Sequence, residues 1–222
     1  MRSFEQIREL ALGHHPDLDE RLTEYYTPRS RDEIRAVSDD RWLAEMTKRV
    51  FQSGFVWKVI EAKWDGFEQA FDGFDPVRVG FYTDEDVERL VSDTRIVRNG
   101  QKIMATIENA QMIQDVAAEH GSFGAFLADW PVDDQIGLQD FLGKKGSRLG
   151  GMTGQYVLRF SGWDAFILSG DVVAALIREG VIDKAPTSKA AKAAVQAAFN
   201  RWREESGQPQ AMISRTLAMS IG

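Results

Sequence analysis

Cysteine is absent from the 222 residues, which excludes a disulfide framework, a thiolate-held iron–sulfur cluster and any zinc site that needs a Cys ligand. Histidine is scarce, with three residues, two of them the adjacent His14 and His15. Adjacent residues do not share a helix face and no other Cys or His cluster accompanies them, so the pair reads as part of a solvated linker and no metal is expected. Apolar runs stay far short of a membrane span. Met1 to Leu12 also lacks the basic start, apolar centre and small-residue cleavage site of a secretory signal, so a cytoplasmic protein with no membrane partner is expected. Missing as well is the apolar–polar alternation that marks strands, and the fold class read from the chain is all-α. What is there, 43% hydrophobic and 27% charged residues with a net charge of -7, is ordinary for a soluble chain of one large or two small domains.

Helical spacing recurs throughout. In residues 1 to 38, Phe4, Ile7, Leu10 and Leu12 precede a polar linker over 13–20, then Leu22, Tyr25 and Tyr26 follow. Trp42, Leu43, Met46, Val50 and Phe51 predict a helix capped by Ser38 or Asp39. After Gly54 a second amphipathic run extends from Phe55 to Phe71. Asp75-Pro76 is a helix start with proline first, and Thr83 to Asp86 resembles a capping box. A long helix is expected after Gly100, stopping at Gly121. The alanine-rich run 185–198, opened by Thr187-Ser188, reads as one helix, and a last helix starts near Pro209.

The sign of the charge reverses between Phe141 and Trp163, where Lys144, Lys145, Arg148 and Arg159 occur with no acidic residue. A helix is expected to end near Gly146, a glycine turn to occupy 149–154, and a second helix to run to about Ser161. Gly150, Gly151 and Gly154 would allow positive φ and leave amides open to a phosphate oxygen, while the lysines and Arg148 contact phosphate or simply end an exposed helix.

This stretch resembles the helix-hairpin-helix element of DNA glycosylases, with Leu149, Gly151 and Thr153 at the Leu and two Gly positions and Asp171 at that of the aspartate opening the next helix. Thr153 and Tyr156 make it similar to the bacterial 3-methyladenine DNA glycosylase I group. Residues 51–110 resemble the first half of that group at Gln52, Gly54, Trp57, Phe74-Asp75-Pro76, the 86–90 run, Ile96, Arg98, Lys102-Ile103 and Asn109-Ala110. The resemblance covers roughly residues 42 to 180.

It implies a two-lobed all-α glycosylase fold, with residues 39–222 forming the glycosylase-like domain behind an amino-terminal extension 1–38. The chain before about 130 would form one lobe, with the hairpin and tail in the other, although interleaved termini are compatible. A monomer acting on double-stranded DNA with a damaged base is implied. The implied activity is hydrolysis of the N-glycosidic bond of an alkylated purine after base flipping, without a cofactor. A ring-methylated purine is cationic and leaves readily, so the enzyme must hold the flipped base and stabilise charge at the sugar.

Asp171 is the candidate for the second task, and the sequence Ser169-Gly170-Asp171 is equally an ordinary helix cap. Trp57 corresponds to the pocket tryptophan. Trp42, Phe51 and Tyr156 are further stacking candidates with core positions as the alternative, and Gln52 is a candidate for the base edge. The glutamate by which the group recognises its base corresponds to Arg49, which would repel a cationic base. Gln155 stands where strand-cleaving relatives have their Schiff-base lysine, so a monofunctional enzyme is expected. The zinc ligands common in the group are absent. A helix-hairpin-helix protein that binds DNA without catalysis is the alternative function.

Overall fold

The computed structural model describes residues 1–25 and 28–222, and Tyr26 lies outside them. Among the described residues there are helices and no strand. The helices are α1 Phe4–His14, α2 Leu18–Tyr25, α3 Arg31–Arg35, α4 Asp39–Gln52, α5 Trp57–Ala62, α6 Trp64–Ala70, α7 Pro76–Gly80, α8 Asp84–Ser92, α9 Gly100–His120, α10 Phe123–Asp129, α11 Gln135–Lys145, α12 Met152–Ser161, α13 Gly170–Arg178, α14 Lys189–Ser206 and α15 Gln210–Met219. They divide into two compact units. One comprises residues 1–29, 131–138 and 162–222, the other residues 30–130 and 139–161.

The second unit is arranged around α9. The Asn99 side chain accepts the Lys102 N–H at its start, Gly121 at φ 87° ends it, and Ile103, Ile107, Ala110, Ile113 and Val116 are buried along it. Helices α4, α7, α8 and α10 pack against it. Local signals set several starts as expected. Asp75 Oδ1 accepts the N–H groups of Val77 and Arg78 ahead of α7, and Thr83 with Asp86 forms the capping box of α8. At α4 the cap position belongs to Ser38, whose side chain makes no cap hydrogen bond. Asp39 Oδ1 instead accepts the Phe123 N–H at 2.9 Å, satisfying an orphan donor of α10. Burial raises the Asp39 pKa, and this hydrogen bond offsets part of that rise.

The run from Phe55 to Phe71 is not one helix. Lys63, at φ -102° and ψ 3°, separates α5 from α6. Lys63 Nζ donates to Thr94 O, and beyond the break the near-parallel rings of Trp64, Phe67, Phe71 and Phe74 stack with centroids 5.3–6.3 Å apart. Hydrophobic spacing alone does not show a change of axis that a tertiary aromatic column accompanies.

The first unit gathers both ends of the chain. Phe4, Ile7, Phe166, Val172, Leu176, Phe199, Trp202 and Leu217 form its core, each such burial stabilising by about 1.5–3 kcal/mol. Phe166 and Phe199 stack with centroids 4.1 Å apart, and Trp202 Nε1 donates to Arg2 O. Gln135 clamps the Phe166 backbone in both directions at 2.7 Å. The expected linker over 13–20 is mostly helical: α1 reaches His14, His15 is its C-cap, and α2 begins at Leu18, which is fully buried.

Residues 1–29 therefore share a core with the carboxy-terminal helices. The hairpin, expected from the sequence to group with the tail, lies in the same unit as residues 30–130 because α12 packs on α4 and Asn109 of α9 grips the turn.

Candidate functional site

The hairpin is the turn between α11 and α12. Asn109, fully buried, donates through Nδ2 to Ser147 O at 3.1 Å and accepts the Ser147 N–H through Oδ1 at 2.7 Å. The two bonds fix where the chain leaves α11. Arg148 then takes φ 59°, a left-handed conformation unusual for a side-chain-bearing residue, and Leu149 is buried. Of the three glycines expected to need positive φ, only Gly151 adopts it, at 59°. Gly154 is required for another reason: a Cβ there would lie 2.3 Å from Leu149 O. Gly150 has open space around it and an unexceptional φ. The first turn of α12 has N–H groups without intrahelical acceptors, an arrangement suited to an anion. Lys144, Lys145 and Arg148 are exposed beside the turn, the two lysines at the carboxy-terminal end of α11, where positive charge also complements the helix dipole.

Against this hairpin, within the same unit, lies a cavity of about 450 Å³. Its walls are Arg49, Gln52 and the following turn to Trp57 on one side and Met152, Thr153 and Tyr156 on the other. Five sequence candidates thus meet in one place: Arg49, Gln52, Trp57, Thr153 and Tyr156. Two others do not. Trp42 and Phe51 are both fully buried core residues. Trp42 packs on Phe123 and donates through Nε1 to Val37 O, while Phe51 meets Phe67 edge to face. Their helical spacing with Leu43, Met46 and Val50 turns them inward.

The cavity wall is dominated by one cation. Arg49 has a side chain only 10% exposed, and its Nε donates to Glu45 Oε1 at 2.5 Å while Nη1 donates to Gln52 Oε1 at 2.7 Å. The guanidinium lies 4.0 Å from the Phe160 ring centroid and 5.5 Å from that of Trp57, a cation–π arrangement. Trp57 is itself edge-on to Tyr156 and Phe160, at 5.5 and 5.9 Å. Accepting from Arg49 fixes which end of the Gln52 amide faces the guanidinium. Gln52 Nε2 is buried and has no acceptor.

A second cation braces the turn from behind. Lys102 Nζ donates to Phe51 O at 3.1 Å and Ser53 O at 2.6 Å and lies 4.4 Å from the Phe55 ring centroid. Burial, followed by the charge of Arg148, pushes its pKa below the ordinary lysine value.

Glu45, Phe160, Lys102 and Asn109 were not singled out as site residues in the sequence. Glu45 lies one helical turn before Arg49 and Phe160 one turn after Tyr156, which is the only local signal either gives. The roles of Lys102 and Asn109 depend on contacts 38 to 51 residues away in sequence.

Asp171 lies in the other unit, exposed, in the first turn of α13. The cap of that helix is Ser169, whose Oγ accepts the Val172 N–H at 3.3 Å. Asp171 is therefore not needed as the cap. A separate cavity of about 490 Å³ is lined by Glu108, Asp115 and Glu119 of α9 opposite Lys145.

The methyladenine glycosylase family model matches residues 25–140, a stretch that contains the Arg49 to Trp57 wall and stops just before the hairpin. DNA-3-methyladenine glycosylase 1 of Escherichia coli (strain K12) is 43% identical over 86 residues, covering 34% of this chain and 46% of that protein. The chain thus spans about half the length of this curated relative. The solved 3-methyladenine DNA glycosylase I of Staphylococcus aureus, described in a study of its 3-methyladenine recognition, superposes with a TM-score of 0.53 at 22% identity over 73% of this chain and 95% of that one. A variant of 3-methyladenine DNA glycosylase I in complex with 3-methyladenine superposes equally well, over 72% of this chain and 95% of its own. These likenesses agree with the all-α glycosylase fold, and the match across more than half of the sequence assigns the chain to the methyladenine glycosylase family.

Proposed function

We propose that this protein is a monofunctional DNA glycosylase of base-excision repair that flips a damaged purine of the 3-methyladenine kind out of duplex DNA and hydrolyses its N-glycosidic bond. The observation that carries the reading is the cavity itself, a space with room for a flipped base, walled by the Trp57 turn and by the first turn of the hairpin helix. A phosphate held at the amides of α12, with Lys144, Lys145 and Arg148 alongside, would keep the backbone next to the space that receives the base. Trp57 and Tyr156 supply aromatic surface, and Gln52 supplies an amide to the base edge. Gln155 at the position of a Schiff-base lysine supports hydrolysis without strand cleavage. Asp171 is assigned the carboxylate role at the sugar, as ion pair to the oxocarbenium-like centre or as base toward water. No cofactor enters this scheme, and the protein is taken to act as a cytoplasmic monomer.

The pairing of Arg49 with the aromatic rings favours a second reading, a protein that binds damaged DNA without excision. Release of free bases from methylated duplex DNA, compared between the intact chain and Asp171→Asn, separates the two. Release of 3-methyladenine that is lost in the folded variant supports the enzyme and its carboxylate. Equal release by both removes Asp171 from the mechanism. Duplex binding with no release of any base supports the non-catalytic reading.

A further inference from the structure

The cavity is charged the wrong way for a cationic base alone. Arg49 is the only charged residue among the described residues that line it. Its counter-charge, Glu45, is bonded to the guanidinium and is not part of the wall. Lys102 adds a second positive charge behind the Gly54 turn and occupies the Phe51 and Ser53 carbonyls. Arg49 also covers a face of Phe160 and approaches that of Trp57, the type of surface on which a cationic base would stack.

In hydrogen-bonding terms the wall is rich in donors. Arg49, on the wall, has further N–H groups beyond those given to Glu45 and Gln52, and behind it the Gln52 amide N–H₂ is buried without an acceptor, closed to the cavity until the amide turns. An unmatched buried donor is costly unless a ligand acceptor satisfies it. The 6-amino group of an adenine-type base offers another donor there, whereas an oxygen at C6 offers an acceptor, next to the N7 acceptor that arginine pairs with in guanine.

We infer that the pocket takes, as a further substrate class, a neutral damaged purine carrying an oxygen at C6, of which the deamination product hypoxanthine is the simplest. This rests on the glycosylase reading above and extends its substrate range. A neutral base leaves less readily than a methylated cation, and the same donors answer that need. As the N9–C1′ bond breaks, its electron pair moves onto the purine, where Arg49 and Gln52 stabilise the negative charge at O6 and N7. Water oxygen bonds to C1′, and the proton it sheds ends on the released base.

The test uses the full chain on two duplexes, one carrying a single hypoxanthine and one methylated to contain 3-methyladenine, with released bases separated by chromatography. Hypoxanthine release is expected, and Arg49→Leu is expected to lower it at least tenfold relative to 3-methyladenine release. Gln52→Leu serves as a second variant should the first fail to fold, with the same expectation. Release of 3-methyladenine without hypoxanthine overturns the inference and leaves the glycosylase reading standing. Hypoxanthine release at a ratio that neither folded variant changes also overturns it. If neither base is released, the glycosylase reading fails, and calorimetric binding of the free bases decides the pocket chemistry. Hypoxanthine binding at least tenfold tighter than 3-methyladenine supports the inference, and equal or weaker binding overturns it.

Discussion

Each unit of this protein buries a carboxylate–guanidinium cluster, and the two differ in how they end. In the first unit, Glu179, its side chain 1% exposed, accepts from the Arg2 N–H at 2.9 Å, from Arg2 Nη1 at 3.0 Å and from Arg178 Nε at 2.8 Å. Arg178 goes on to donate to Ser220 O and Oγ. That network ties the amino terminus, α13 and the end of α15 together. In the second unit, Glu45 and Arg49 are similarly paired on one helix, but the chain of bonds runs on to Gln52 and stops at an amide with no acceptor, on the wall of a cavity. Saturated buried charge holds a fold together, whereas a network ending in an unmatched buried donor leaves a desolvated polar group uncompensated.

Breaking the first cluster is expected to have the largest effect. Glu179→Ala leaves the Arg2 N–H and Arg178 Nε without their acceptor and should destabilise by about 3 kcal/mol, read as a lower denaturant midpoint with base binding by the second unit preserved. Asn109→Ala removes both bonds to Ser147 and should cost about 2 kcal/mol. Unlike Glu179→Ala it should also weaken duplex binding, because the hairpin loses its anchor.

Acid sharpens the contrast further. Burial alone would raise the Glu179 pKa, but hydrogen bonds from the Arg2 N–H and from the Arg178 and Arg2 side chains hold it below the usual glutamate value of 4.5. A folded pKa below the unfolded one gives stability that is present above 4.5 and lost as the pH falls through the folded value. Thermal midpoints should therefore fall below that pH, and less steeply in Glu179→Gln.

Breaking the second cluster should cost less than breaking the first. Arg49→Leu leaves the largely buried Glu45 carboxylate and the Gln52 oxygen without their donor and is expected to cost about 1–2 kcal/mol, while shifting which base is released. Smallest of all, replacing Lys144, Lys145 and Arg148 by Ala should leave stability within about 0.5 kcal/mol. The same change should reduce the slope of log affinity against log salt by about 0.9 for each phosphate that is no longer neutralised.

Which parts were legible in the sequence follows from the range of the signals. Asp75-Pro76, Thr83 with Asp86, and Ser188 announce helix starts because the capping bond spans two or three residues. Gln52, Trp57 and Tyr156 were grouped as pocket candidates only through the family resemblance, and Thr153 was expected at the phosphate rather than beside them, since three helices, the last about a hundred positions beyond the first two, supply these side chains. Ser169 rather than Asp171 as the cap, and Trp42 and Phe51 as core rather than pocket, were undecided locally, because either choice satisfies the same residue pattern.

The sequence by itself determined that the chain is helical, where most helices begin, and that a glycine turn beside a basic, acid-free stretch joins two of them, since capping bonds, apolar periodicity and charge are local properties. Only the tertiary structure decided that the hairpin belongs with residues 30–130, that α5 and α6 part at Lys63, and that Arg49 and Trp57 meet Thr153 and Tyr156 around one cavity. Those outcomes depend on which side chains meet across long sequence separations and on how much water remains between them, and no window of sequence contains either.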